Sequence, residues 1–92
     1  LSTSLVQNYP NPFNPSTTIR YTLGSESDVC LTLYDIQGQV VRELVSQHQS
    51  AGRYEVSWDG CDAQGCRLAS GVYLYTLRAG EFTATRKSLL TK

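Results

Sequence analysis

Along several short runs of this chain, apolar and polar residues alternate with a period of two, the mark of a strand with one face on a core. In residues 17–23, Ile19, Tyr21 and Leu23 share one face, while Thr18, Arg20 and Thr22 share the other. Tyr54, Val56 and Trp58 alternate with Arg53, Glu55 and Ser57, and Val29, Leu31 and Leu33 line one side of a third run. Turn-forming pairs separate the runs at short, fairly even intervals: Gly24-Ser25, Gln37-Gly38, Ala51-Gly52, Asp59-Gly60, Gln64-Gly65, Ser70-Gly71 and Ala79-Gly80. The pattern predicts strands at 4–8, 17–23, 29–36, 39–45, 53–58, 72–78 and 82–90. Residues 72–77 are apolar on both faces, which places that strand inside a sheet. Val40 to Val45 alone suits a short helix equally well, but Gln37-Gly38 leads into it like a hairpin turn and decides for strand.

Seven short strands with short links give an all-β, immunoglobulin-like antiparallel sandwich, one domain over residues 1–92. Ile19, Leu31, Leu33, Val56, Trp58 and Leu77 are the expected core, with Trp58 between the sheets. Tyr73, just after Ser70-Gly71, is placed for a tyrosine-corner bond to nearby backbone. The inter-sheet disulfide of antibody domains has no counterpart, because Cys61 and Cys66 are too close in sequence to span two sheets.

Eight basic and eight acidic residues cancel. That balance argues against nucleic acid or an anionic membrane surface as partner, since both call for clustered positive charge. No apolar run is long enough to cross a bilayer, and Leu1-Ser2-Thr3 does not open a signal peptide. The chain reads as a piece of a longer protein whose export signal lies elsewhere.

Three cysteines leave one over. Cys61 and Cys66 flank the turn Asp62-Ala63-Gln64-Gly65, and that spacing suits a bridge across a hairpin end in an oxidising compartment; the alternative is two unpaired thiols. Cys30 is expected to stay free.

Catalysis and metal binding find little support. His48 is the sole histidine and lies in the polar stretch Ser46-Gln47-His48-Gln49-Ser50, expected to be a solvated loop. With no second candidate base and no carboxylate pair in a predicted pocket, no catalytic residues and no cofactor are expected. The three cysteines with His48 lack the close pairing of thiolates that a zinc site uses. Asp59 through Gly65 faintly resembles a calcium loop but has no closing acidic ligand, and Asp and Gly favour ordinary turns for backbone reasons.

All three prolines fall in Tyr9-Pro10-Asn11-Pro12-Phe13-Asn14-Pro15-Ser16, a stiff, extended lead into the second strand. Asn11 and Asn14 are suited to bonding their own backbone, and Phe13 to plugging one end of the sandwich. Gln7 through Ile19, Gln-Asn-Tyr-Pro-Asn-Pro-Phe-Asn-Pro-Ser-Thr-Thr-Ile, closely resembles the opening of the C-terminal sorting domains of the type IX secretion system, which belong with the immunoglobulin-like domain of the flagellar hook-capping protein. The resemblance continues through Leu33-Tyr34-Asp35-Ile36-Gln37-Gly38, Val56-Ser57-Trp58-Asp59-Gly60 and Ser70-Gly71-Val72-Tyr73 to the last residues.

The resemblance implies a domain that ends a larger cargo protein exported first to the periplasm. An outer-membrane translocon then recognises the folded domain, and a sortase commonly removes it and attaches the cargo at the cell surface. In that family the last strand carries most of the signal, here matched by Phe82, Arg86, Lys87, Leu89, Leu90 and Lys92. The chain departs from the family pattern at Cys61 and Cys66, and at Ser88 and Thr91, where apolar residues are common. The competing reading is a binding or spacer module of a multidomain extracellular enzyme, gripping carbohydrate or protein. A sugar platform would need exposed rings in a line, with Tyr9, Tyr34 and either Tyr73 or Tyr75 as candidates.

Overall fold

The computed structural model describes residues 2–91. Seven strands follow in order: β1 (Ser4–Leu5), β2 (Thr17–Leu23), β3 (Ser27–Tyr34), β4 (Val40–Gln49), β5 (Gly52–Trp58), β6 (Gly71–Ala79) and β7 (Phe82–Leu90). They form a three-stranded sheet, β1-β2-β5, and a four-stranded sheet, β4-β3-β6-β7, all pairings antiparallel. Among the described residues no helix is long and apolar enough to cross a membrane.

The period-two faces meet between the sheets. Ile19, Tyr21 and Leu23 from β2, Val29, Leu31 and Leu33 from β3, and Tyr73, Tyr75 and Leu77 from β6 are buried around Trp58. The indole is clasped by Phe13 at 5.2 Å and Tyr73 at 5.7 Å between ring centroids, and its Nε1 donates to the Cys61 carbonyl at 3.0 Å. Tyr73 makes the tyrosine corner, its hydroxyl donating to the Ala69 carbonyl at 2.6 Å. β6 is interior to its sheet, as its two apolar faces required.

Three expectations change. Val56 is only half-buried, because β5 is the edge of the smaller sheet and the opposing sheet does not fully cover it. β4 runs on to Gln49 instead of stopping at Val45, since Ser27 and Asp28 extend β3 and pair with Gln49 and His48. β1 shrinks to two residues, because one extra residue between the Leu5–Tyr21 and Tyr9–Thr18 pairings breaks the register beside β2.

The β3–β4 hairpin shows how local chemistry sets register. Asp35 Oδ1 accepts from the backbone N–H of Gln37 at 2.9 Å and of Gln39 at 3.0 Å. Gly38 then turns the chain with φ +85, where a side chain would be strained.

Candidate functional site

The opening segment is pinned to the sandwich one residue at a time. Val6 N–H donates to the Arg20 carbonyl, and Tyr9 and Thr18 exchange both backbone bonds, all at 3.0 Å. Between them Asn8 is 2% exposed. Its N–H donates to the Tyr75 hydroxyl at 2.7 Å, and that hydroxyl donates onward to the Val6 carbonyl at 2.9 Å. Burial pushes the Tyr75 phenol above its ordinary value, so it holds the proton it donates. The Asn8 carboxamide donates to Thr17 Oγ1 at 3.0 Å and to the Pro10 carbonyl at 3.2 Å, closing the proline turn around itself. Phe13 is buried against Trp58 and plugs the end of the core, as its position suggested.

The segment also clasps the last strand. Phe13 N–H donates to the Leu89 carbonyl, and Thr91 N–H donates to the Phe13 carbonyl, each at 2.9 Å, so that Phe13 bridges Leu90 in parallel. Asn11 does not bond its own backbone: its Oδ1 accepts from Leu89 N–H at 2.9 Å. The Gln7 carboxamide donates to the Lys87 carbonyl, and Arg86 Nε donates to the Leu5 carbonyl at 3.0 Å. This seam between the opening segment and β7 was not legible in the sequence, where the two stretches stand some 80 residues apart.

The expected recognition residues therefore separate into two groups. Leu90 is buried beneath Phe13, Phe82 is half-buried against the core, and Arg86 reaches back to β1. Lys87 and Leu89 lie on the outer face with Thr83 and Thr85, Leu89 being 37% exposed beside a shallow depression lined by Asn11, Val72, Lys87 and Ser88. Lys92 lies outside the described residues. Ser88 is a polar residue facing inward, and its hydroxyl is satisfied by the Tyr73 carbonyl at 3.1 Å. Thr91 likewise donates its hydroxyl to the Phe13 carbonyl at 3.2 Å.

The expected Cys61–Cys66 bridge is not formed, and Cys30, Cys61 and Cys66 are all free thiols. The hairpin register explains why. Cys61 lies opposite Arg67, while Asp62 N–H bonds the Cys66 carbonyl, so the two cysteines are offset by one position and their side chains leave on opposite faces. The carboxylates of the calcium-like stretch cap backbone instead. Asp59 Oδ1 accepts from Cys61 N–H, and Asp62 Oδ1 from the N–H groups of Gln64 and Cys66, all at 3.0 Å. Asp59 also meets Arg42 at 2.7 Å; burial raises its carboxyl, but the Cys61 N–H and the Arg42 charge outweigh that and hold it below its usual value.

His48 is on a strand, not in a loop. Its Nδ1 lies 2.8 Å from Asp28 Oδ1 and its Nε2 3.1 Å from Glu26 Oε2, and these two hydrogen bonds, that to Asp28 foremost, raise its pKa above the ordinary value.

Two antiparallel sheets over a tryptophan-centred core with a tyrosine corner define an immunoglobulin-like sandwich. Residues 14–81 match the FlgD Ig-like domain family, and the chain belongs to it. Latent PorU of Porphyromonas gingivalis, crystallised as a dimer, superposes on 95% of this chain with 9% of its own length, at 23% identity and a TM-score of 0.72. PorZ of the same organism, described as an essential surface component of the type-IX secretion system, matches 95% of the chain with 11% of its own, at 22% identity and a TM-score of 0.67. FlgD of Xanthomonas campestris, described through hook capping in flagellar assembly, matches 95% of the chain with 64% of its own, at 25% identity and a TM-score of 0.65. The chain thus spans about a tenth of PorU and PorZ and less than two thirds of FlgD. No curated protein matches it.

Proposed function

We propose that this chain is a non-catalytic C-terminal sorting domain. It directs a larger exported protein, its N-terminal cargo, through the outer-membrane type IX translocon to the cell surface, where a sortase is a further partner. The observation that carries this reading is the seam. Gln7 through Ile19, which resemble the opening of sorting domains, close on the strand that bears the signal in that family, making one structural unit of the two. The likeness to PorZ, itself a type-IX component at the bacterial surface, supports it.

Deleting the last residues is a poor test, because Leu89 and Thr91 hold Phe13 in place. Lys87→Glu with Leu89→Thr changes only outward-facing side chains. In a host carrying the translocon, a reporter with a periplasmic signal peptide and this chain at its C-terminus should reach the surface. The double variant, folded to the same melting temperature, should remain in the periplasm. Delivery of neither would favour the spacer reading, which the FlgD likeness supports, and equal delivery of both would refute Lys87 and Leu89 as the recognised side chains. A sugar-binding form of that reading loses its rings: Tyr73 and Tyr75 are buried, while Tyr9, 74% exposed, pairs with β2 and Tyr34 lies on β3 in the other sheet.

A further inference from the structure

The four-stranded sheet has two edges, and they are built differently. β4 breaks register twice, between Leu31 and Thr32 and between Leu33 and Tyr34 of its partner, irregularities that discourage a further strand. β7 runs in unbroken register from Phe82 to Leu90, with neither proline nor glycine. Leu89 turns both its N–H and its carbonyl away from β6, toward Asn11 and Phe13. Antiparallel pairing alternates, so Thr83, Thr85 and Lys87 also point their backbone groups outward. Gln7 takes the Lys87 carbonyl. The N–H groups of Thr83, Thr85 and Lys87 and the carbonyls of Thr83 and Thr85 have no backbone or side-chain partner among the described residues. They cover roughly 14 Å of edge at ~3.4 Å per residue, enough for a short strand.

The opening segment already uses this edge, bridging Leu90 through Phe13, so an added strand would continue a line of pairing already begun. The charge beside the open stretch is one-sided. Arg78, Arg86 and Lys87 flank it, none in an ion pair among the described residues, and the one carboxylate on β7 and its turn is Glu81. Thr83 and Thr85 present β-branched side chains that suit β-branched cross-strand neighbours.

We infer that residues 83–87 of β7 take up an extended, carboxylate-bearing segment of a partner protein as an added strand. This deepens the sorting reading and rests on it for the partner's biological role, though the pairing itself is measured independently.

The probe is a blocked heptapeptide, Thr-Val-Asp-Val-Glu-Val-Thr, added to the chain while amide exchange is followed by NMR. Exchange at Thr83, Thr85 and Lys87 should slow by about tenfold or more, while Ala84 and Arg86, already bonded to β6, stay unchanged. A peptide with lysine at both acidic positions should protect less. Thr85→Pro removes an N–H that β6 does not use, together with the exposed hydroxyl bond to Thr76, so the variant should stay folded with Ala84 and Arg86 exchanging as in the parent, yet show no protection at Thr83 and Lys87. No protection in the parent, equal protection in T85P, or protection that appears without peptide as the chain self-associates in sedimentation would each overturn the inference. In the reporter fusion T85P should be folded but retained. An intact fusion that is itself retained defeats the sorting reading, while the exchange result still decides the edge.

Discussion

Tyr75→Phe deletes a single oxygen and should loosen the opening segment without disturbing the core. The ring is fully buried and phenylalanine fills the same space, so no cavity term arises. What is lost is the acceptor for Asn8 N–H and the donor to the Val6 carbonyl. Val6 is 46% exposed, so water can replace its partner; Asn8 is 2% exposed, so its N–H is orphaned unless the segment moves. A buried donor left unsatisfied costs ~1–3 kcal/mol, and about 2 kcal/mol is the expectation here. For a domain of this size that lowers the melting temperature by roughly 8–16 °C, at ~4–8 °C per kcal/mol. The segment can relieve the cost by lifting off, so its opening becomes favoured by about thirtyfold, at ~1.4 kcal/mol per factor of ten. Leu89 and Thr91 report on this directly, because their N–H groups are bonded to Asn11 and Phe13. Thermal unfolding paired with native-state amide exchange makes the measurement. A melting point lowered by less than ~2 °C, with Leu89 exchanging at the parent rate, would refute the view that this hydroxyl holds the segment down.

Three further outcomes follow from the same geometry. Trp58→Ala, emptying the site between Phe13 and Tyr73, should cost ~3–5 kcal/mol in chemical denaturation, a large part of a typical ~5–15 kcal/mol; a loss under ~1.5 kcal/mol would show the indole to be peripheral. Gly60→Ala should cost more than ~1 kcal/mol, since φ is +76 and the new Cβ would lie 3.0 Å from the Pro15 carbonyl; a neutral result by the same assay would mean that loop yields freely. His48 is held by Asp28 and Glu26 with its pKa above 6.5, so its protonated form contributes fully below that value, and the contribution is lost as pH rises through the raised folded value; melting should fall as pH rises above 6.5, and His48→Gln should flatten that slope.

The sandwich was legible because its causes are local. Alternation in β2 and β3 gave the inward faces, glycine-bearing turns gave the breaks, and the doubly apolar run from Val72 to Leu77 gave an interior strand. Where local pattern is silent, long-range pairing decides the structure. Nothing in Ser46 to Gln49 marks a strand, because that stretch is held only by pairing with β3, which carries His48 onto the strand with it. The cysteine bridge failed on a single step of register, since Cys61 faces Arg67 and the spacing alone does not say which side each thiol leaves from. The recognition residues stand close together in sequence, whereas period-two geometry buries Leu90, leaves Lys87 and Leu89 outside, and Arg86 reaches across to Leu5.

Family membership accounts for the sandwich but not for the seam, because the family match covers 14–81 and the contacts that matter most join Gln7, Asn11 and Phe13 to Lys87, Leu89 and Thr91. Those pairs are separated by nearly the whole chain, and closing so long a loop for a few hydrogen bonds is unfavourable until the intervening strands have folded and brought both ends to one side. The seam fixes which backbone groups of β7 are covered and which stay open. On the sorting reading this has a physical consequence. In an unfolded chain the same residues offer every backbone group at once and no fixed row of side chains. Only the finished domain presents a short regular edge beside Lys87 and Leu89, with the remainder closed by the opening segment. A partner that binds this edge discriminates folded from unfolded domains through geometry alone.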